Sequence, residues 1–184
     1  MRPIAIFQLA LIILLLAVTA AAQDDQKADY IYFESDNYIC RFQAPEDWKF
    51  DLDNARMDNY SAAIIPDTNE YYDAGVIIYL WIFRGENYSY PKFVTTDSSA
   101  YIKKNPDIVF KKADSVLTQS KQRVTYYETA DPGGKYELTF VGYIPTGKEI
   151  IIYEMNITSR LYYSDAHFKF REAMSGFSIE DKGE

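Results

Sequence analysis

Catalysis usually needs a histidine, a perturbed carboxylate pair or an activated nucleophile, and this sequence offers few of them. The chain has one histidine, His167, and one cysteine, Cys40. His167 lies among apolar neighbours in a predicted closing helix, where a surface or half-buried structural histidine is the usual case. Cys40 alternates with Tyr38 and Phe42, so we interpret it as a small buried hydrophobe rather than a reactive thiol. One histidine and one cysteine are too few for a typical zinc site, and we predict no catalytic residue, no metal and no cofactor.

Two acidic stretches are candidates for cation binding. The first, "DLDNARMD" at residues 51–58, begins like an EF-hand loop with Asp51 and Asp53. It departs from that pattern at Ala55, where a ligand is expected, and at Arg56, which occupies the glycine position, so we interpret it as a solvated loop. The second stretch, "DTNEYYD", is interpreted as a loop and leaves open a weak site for a hard cation, formed by Asp67, Glu70 and Asp73.

The first 22 residues have the pattern of a secretory signal peptide. Arg2 precedes an apolar run over residues 4–18, and the small residues Ala20 and Ala22 fit a cleavage site before Gln23. A retained transmembrane anchor is the alternative, because the uncharged run is only just long enough to span a bilayer. We predict a signal peptide over 1–22, a polar tether over 23–29, and one domain over 30–184. The mature protein is then secreted or periplasmic, with no further membrane span.

Charge and cysteine content narrow the class of partner and the means of stabilisation. The formal net charge is −8, which repels phosphate backbones, so a nucleic-acid partner is not expected. A single cysteine cannot form an intramolecular disulfide, so the fold must depend on its core. Three sequons, at Asn59, Asn87 and Asn156, matter only if the source secretes through a glycosylating pathway.

The first half of the domain predicts short, aromatic β-strands. "YIYFE" and "YICRF" read as a hairpin joined by "SDN", and "SAAIIP" as a short strand or an edge strand. Residues 75–84, "GVIIYLWIFR", are apolar on both alternating faces, which is typical of a central strand covered on both sides. A short helix is predicted over 96–104, capped by Thr96 or Asp97.

The second half predicts an antiparallel meander and a closing helix. Strands are expected in residues 121–130, 135–144 and 148–158, separated by the turn sequences "DPGG" and "PTG". A helix is expected near 164–175, with Ser164 as its cap and an apolar face formed by Ala166, Phe170, Ala173 and Met174. "FSI" then adds a last short strand.

The two ends of this pattern resemble the PsbP-like family. The motifs are a strand, "PEDW" and a second strand near the start, and "FREAMSGFSI" at the end. That family includes the extrinsic photosystem II subunit and bacterial relatives, and it shares its fold with a Ran-binding nuclear import factor. The resemblance covers most of 38–179 and implies an α+β fold, in which an antiparallel sheet of about six strands has helices on both faces (an α/β/α sandwich).

The resemblance assigns structural positions rather than an activity. Pro45 and Trp48 match the early turn, and Ser175 and Phe177 match the end of the closing helix, whose apolar face includes Phe170. Members of the family differ widely in role, so function does not follow from the fold. The metal-binding and partner-binding residues of the photosynthetic members have no clear match in this sequence.

Two functional hypotheses follow. The first is an exported, non-catalytic and monomeric module that binds a protein or an envelope component. Its surface would be rich in tyrosine, since the chain contains 17 of them, although covering a sheet is the more ordinary role of tyrosine. The second is a carboxylate-based hydrolase of glycans or esters, for which two carboxyl groups should line one pocket at roughly 5 to 10 Å.

Overall fold

The computed structural model describes residues 29–84, 89–104, 106–130, 138–147, 149–158 and 163–182. The predicted signal peptide and residues 23–28 of the tether lie outside these ranges. In chain order the elements are β1 (Tyr30–Glu34), β2 (Tyr38–Gln43), β3 (Trp48–Asp51), α1 (Leu52–Met57), β4 (Ala62–Pro66), a 3-10 turn (Tyr71–Asp73), β5 (Val76–Arg84), α2 (Tyr90–Lys104), β6 (Val109–Leu117), β7 (Arg123–Ala130), β8 (Leu138–Thr146), β9 (Glu149–Ile157), α3 (Tyr163–Ser175) and β10 (Ser178–Asp181). No helix in these ranges has both the length and the apolar character needed to cross a bilayer.

The strands form two antiparallel sheets. The larger has seven strands in the order β3-β4-β5-β9-β8-β7-β6, and the smaller has three in the order β1-β2-β10. The predicted α+β class is confirmed, although the described residues contain more strands than the six expected. The predicted hairpin of β1 and β2, the meander of β7, β8 and β9, and the closing strand β10 are all present.

Each face of the seven-stranded sheet has its own apolar cover. On one face, side chains such as Tyr153 of β9 join a core with Phe42 of the small sheet and Phe170 of α3. On the other face, Ile152 packs with Phe93 of α2, and α1 covers a separate cluster. Because alternate residues of a strand point to opposite faces, β9 serves both layers. Helices therefore lie on both faces of the large sheet, as the sequence predicts.

The "PEDW" turn joins the two sheets and is tied to α3. The Trp48 amide donates to the Pro45 carbonyl at 3.1 Å, and Asp47 between them has φ of 61°. Lys169 of α3 donates to the Glu46 carbonyl at 2.8 Å, and the Glu46 amide donates to the Glu172 carboxylate at 3.2 Å. Trp48 then opens β3 with 6% of its side chain exposed, which explains the placement of a large aromatic directly after a polar turn.

Strand β6 was not predicted from the sequence. Its residues Val109–Leu117 include Lys111, Lys112 and Asp114, so the apolar alternation typical of a strand is interrupted. The register also shifts between Lys112 and Asp114, which is a bulge. β6 lies at the edge of the large sheet, where charged residues and bulges are common because they discourage pairing with other chains.

The position of one strand and the starts of two helices differ from the sequence prediction. Strand β4 is internal, because β3 lies outside it at the sheet edge. Helix α2 begins at Tyr90 rather than at residue 96, so Thr96 and Asp97 lie inside the helix and do not cap it. Pro91 fits the first turn of a helix, where its missing amide hydrogen has no partner to lose. Helix α3 begins at Tyr163, which places Ser164 in its first turn.

Strand β5 is internal as predicted, but its two faces are covered unequally. Val76, Ile78 and Leu80 are buried on the face toward α3. On the opposite face, Trp81 keeps 41% of its surface exposed, although α2 lies on that side of the sheet. The incomplete cover leaves a groove beside α2.

Candidate functional site

The α2 groove lies between helix α2 and the face of the large sheet that α2 covers. Its volume is about 240 Å³. It combines aromatic, acidic and basic side chains, and its lining residues are Tyr60, Trp81, Asp97, Ala100, Tyr101, Lys104, Ile152 and Glu154.

The sheet side of the α2 groove is set by the register of β5, β9 and β8. Ile152 pairs with Trp81 on β5, and Glu154 pairs with Tyr79 on the same strand. Paired residues of antiparallel strands point to the same face, and residues two apart on one strand share that face. Tyr143 of β8, which pairs with Ile152, therefore also points toward α2.

The helix side of the α2 groove is set by helical spacing. Asp97, Ala100, Tyr101 and Lys104 all lie on α2 at intervals of three or four residues, which places them on one face of the helix. Ala100 leaves room between the longer side chains of its neighbours. The helix thus presents an acid, a phenol and an ammonium group to the groove.

Two carboxyl groups line the α2 groove, each hydrogen-bonded to a tyrosine. Tyr143 donates to Asp97 Oδ2 at 2.6 Å, and burial raises the pKa of Asp97 above its usual range although this hydrogen bond opposes the shift. Burial also raises the pKa of Glu154, with a smaller contribution from the charge of Asp97. The Tyr101 hydrogen bond and the nearby Lys104 act in the opposite direction on Glu154. Both carboxyl groups therefore take up a proton more readily than exposed acids do.

The phenol groups of the α2 groove act as hydrogen-bond donors. Burial raises the pKa of Tyr101 and of Tyr143 well above the usual tyrosine range, and the neighbouring carboxylates raise both further. Burial, with the charge of Glu154, raises the pKa of Tyr60 to about 12. These hydroxyls stay protonated at neutral pH, so they can orient the carboxyl groups but do not supply a base.

An aromatic wall closes one side of the α2 groove. Tyr60 stacks on Tyr79 with ring centroids 4.1 Å apart, and it meets Trp81 in an edge contact at 5.1 Å. Tyr71 extends the row by an edge contact with Tyr79 at 6.4 Å. The contact with Tyr60 fixes the orientation of the Trp81 indole, while the indole surface stays accessible from solvent.

The histidine and the cysteine lie on the other side of the large sheet. His167 of α3 is half-buried, with its Nε2 2.6 Å from the Tyr126 hydroxyl and its ring stacked on Phe140 at 4.8 Å. Burial lowers its pKa, and Arg171 adds to the shift. Cys40 is fully buried, and burial raises the pKa of its thiol to about 12. Neither residue lines the α2 groove.

The acidic stretches do not form a cation site in the described part of the chain. Asp51 caps α1, because the Asn54 amide donates to Asp51 Oδ1 at 3.0 Å, so residues 52–57 are a helix rather than the solvated loop that the sequence suggested. The segment around the 3-10 turn, for which the sequence predicts a loop, contains Asp67, Glu70 and Asp73. Within the described ranges no three His, Cys, Asp or Glu side chains are grouped as a metal would require.

The tyrosine pairs and the sequons differ in how exposed their residues are. Tyr71 is 3% exposed and Tyr72 is 70% exposed, so this pair divides between core and surface as expected, although it lies in a 3-10 turn rather than a strand. Asn59 is exposed, and Asn156 is half-buried with its side-chain oxygen accepting from Thr139. Asn87 and the pair at 162–163 fall outside the described side chains.

Two other cavities lack this combination of groups. A cleft between the two sheets is mainly apolar, with Arg56 as its one charged lining residue. A shallow depression between β6 and α3 includes the exposed Phe168 beside Arg171 and Glu172. The α2 groove alone among the three brings two carboxyl groups together with an exposed indole.

Comparison with known proteins supports the fold. No family model and no curated protein matches the sequence. The chain is similar in structure to cyanobacterial PsbP (CyanoP) from Synechocystis, with a TM-score of 0.53 and 9% sequence identity over 86% of this chain and 97% of that one. The chain has a PsbP-like fold. At 9% identity the similarity shows the fold alone. A shared PsbP-like fold does not by itself indicate what this chain does.

Sequence reasoning missed the α2 groove because its residues are far apart in the chain. The sequence predicts that both faces of β5, and so Trp81, are covered. It predicts Thr96 or Asp97 as a helix cap, and it assigns no role to Glu154. Glu154 carried the clearest signal, since a carboxylate within "EIIIYEMNI" interrupts an otherwise apolar strand. A charge in such a place is paired or functional because burying it alone is costly.

Proposed function

We propose that this protein is an exported, non-catalytic module with a PsbP-like fold that binds a protein or an envelope component through the α2 groove. The observation that carries the proposal is the exposed Trp81 beside Asp97 and Glu154 in one concave site. Concave sites that combine aromatic surface with a few convergent polar groups are typical of ligand recognition. Exposed tryptophan is also among the residues that contribute most at interfaces.

The two carboxyl groups favour binding over turnover because their pKa values are not shifted in opposite directions. Carboxylate-based hydrolysis needs one acid that holds its proton and one that stays ionised, so the two environments should shift the pKa values apart. Here burial raises the pKa of Asp97 and that of Glu154 in the same direction. Each group also accepts a tyrosine hydrogen bond, which suits a site that orients a ligand.

A hydrolase of glycans or esters is the second candidate. It is favoured by one observation, the presence of Asp97 and Glu154 in the same cavity. A substrate screen on the mature protein separates the two functions, with Glu154→Gln as the variant that should abolish turnover by a hydrolase. We expect no turnover from the wild-type protein or from Glu154→Gln.

The remaining parts of the proposal concern location and partner. The signal pattern of residues 1–22 supports export, which places the mature, monomeric protein in the periplasm or outside the cell. The net charge of −8 favours basic or neutral partners and disfavours nucleic acid.

A pull-down tests the role of the α2 groove. Immobilised mature protein is exposed to an envelope fraction of its host, beside Trp81→Ala and the control Phe168→Ala. Both aromatic side chains are exposed, but Phe168 lies on α3 and not in the groove. We expect the wild type and Phe168→Ala to retain a common partner and Trp81→Ala to lose it. Equal retention by all three proteins would contradict a function for the groove.

A further inference from the structure

We infer that the ligand of the α2 groove is a neutral sugar chain, with one sugar ring stacked on the Trp81 indole and its hydroxyls hydrogen-bonded to Asp97, Glu154 and Lys104. The inference rests on the proposed function, since it names the class of ligand for the same site. It follows from the surface that the groove presents, from its mixture of donors and acceptors, and from its charge.

The aromatic surface of the groove suits the apolar face of a sugar ring. Trp81 is 41% exposed, and its contact with Tyr60 at 5.1 Å limits its rotation. Beside it on β9, its cross-strand partner Ile152 is only 5% exposed and adds apolar surface next to the indole. A flat ring that is held in place and open on one side can cover the C–H face of a pyranose, burying apolar area at small entropic cost.

The polar groups of the groove match hydroxyls rather than a single charge. Asp97 and Glu154 are acceptors when ionised, and Lys104 is a donor only. Each sugar hydroxyl can donate one hydrogen bond and accept others, so it can use both kinds of group in one site. Because Tyr143 and Tyr101 already hold the carboxyl groups, little ordering is needed when a ligand binds.

The charge of the groove disfavours ionic ligands of either sign. Two carboxyl groups repel a phosphate or a carboxylate, while Lys104 on the helix side repels an amine or a guanidinium. A neutral polyhydroxylated ligand meets neither penalty.

The volume of the α2 groove limits how much of the sugar chain can enter it. About 240 Å³ is below the lower limit of roughly 300 Å³ for pockets that enclose a drug-sized ligand. The groove therefore accommodates about one sugar ring. The neighbouring units of the sugar chain would lie along the surface of the sheet.

Titration with defined oligosaccharides tests the inference. Chitohexaose, cellohexaose and maltohexaose are titrated separately into the mature protein up to millimolar concentration, with calorimetry and tryptophan emission as readouts. We expect at least one to bind, with an affinity that raised salt leaves unchanged because the ligand is neutral. Trp81→Ala should weaken that binding at least tenfold, whereas Phe168→Ala should leave it unchanged.

The outcomes separate the ligand class from the proposed function. If no oligosaccharide binds, or if binding survives Trp81→Ala, the sugar inference is wrong. A trilysine peptide is titrated in parallel. If the peptide binds, and if its binding is lost in Trp81→Ala and weakens as salt rises, the sugar inference is wrong. The groove would then still be a binding site. Cleavage of any of the oligosaccharides, detected by chromatography after incubation and lost in Glu154→Gln, would support the sugar as ligand and overturn the non-catalytic function.

Discussion

At the scale of single residues, the two tryptophans have opposite environments. Trp48 is 6% exposed in the core beside the "PEDW" turn, while Trp81 is 41% exposed in the α2 groove. We expect Trp48→Ala to lower the free energy of unfolding by about 3 kcal/mol, as for other large aromatic truncations in cores. Trp81→Ala is the matched control. It should lower the free energy of unfolding, measured by urea titration, by much less than Trp48→Ala does. A Trp48→Ala protein with an unchanged midpoint would place this side chain outside the core.

The raised pKa of Asp97 predicts a pH dependence of stability. The folded protein holds a proton on Asp97 at pH values where the unfolded chain has released it, so the stability of the wild type falls as pH rises from the ordinary carboxyl range through the folded pKa. Asp97→Asn keeps an acceptor for Tyr143 but cannot ionise. Its stability relative to the wild type should therefore improve as pH rises from the ordinary carboxyl range through the folded pKa of Asp97.

The control for this measurement is Ser98→Ala, a neighbouring change on α2 that removes no titrating group. Its urea midpoints should follow those of the wild type in parallel across the pH range. Parallel curves for Asp97→Asn as well would show that folding does not raise the pKa of Asp97.

At the scale of elements, the contact between the "PEDW" turn and α3 predicts a local contribution to stability. Lys169 donates to the Glu46 carbonyl at 2.8 Å and pairs with Glu172 at 3.2 Å, and its side chain is 21% exposed. Lys169→Met keeps the aliphatic stem and the helix propensity but removes the donor. We expect a loss of about 1 kcal/mol in the free energy of unfolding, the usual net value of one hydrogen bond.

The matched control is Arg171→Met on the same helix. Arg171 pairs with Asp114 at 3.5 Å, and both side chains are about half-exposed. Surface pairs of this kind contribute about 0 to 1 kcal/mol. An unchanged free energy of unfolding for Lys169→Met in chemical denaturation would mean that its hydrogen bond to the Glu46 carbonyl does not stabilise the turn.

The sequence predicted the elements whose pattern is local. The alternation of β5 and β9, the hairpin of β1 and β2, and the apolar face of α3 all follow from spacing within one segment. Strand β6 was missed because an edge strand needs no apolar alternation and carries lysines instead. The predicted start of α2 is six residues too late because Thr96 and Asp97 resemble a helix cap. Pro91 also fits the first turn of a helix, and the structure has it there.

The candidate site could not be predicted in the same way. It depends on Tyr60, Trp81, Asp97 and Glu154, which lie on a loop, two strands and a helix and meet only through the strand order β4-β5-β9 and the docking of α2. Strand order across a large sheet is not encoded in local periodicity. A single charge in an apolar strand, Glu154, was the sole local indication.

At the scale of the whole molecule, export predicts the chemical form of the mature protein. Removal of residues 1–22 should leave a chain that begins at Gln23, with or without cyclisation of that residue to pyroglutamate. Intact-mass analysis of protein produced in its own host measures this directly. A membrane-retained protein that still begins at Met1 would contradict the prediction.

The central claim is that the molecule acts by binding through the α2 groove, and one spectroscopic measurement tests it most directly. The indole N–H of Trp81 gives one of only two tryptophan side-chain signals in a nitrogen–proton NMR spectrum, and the other belongs to the buried Trp48. Soluble envelope extract of the host is added to labelled mature protein. We predict shifts at Trp81 and at the amides of Ala100, Tyr101 and Ile152, with Trp48 unchanged. Shifts confined to α3 around Phe168, or an unchanged spectrum, would contradict the claim.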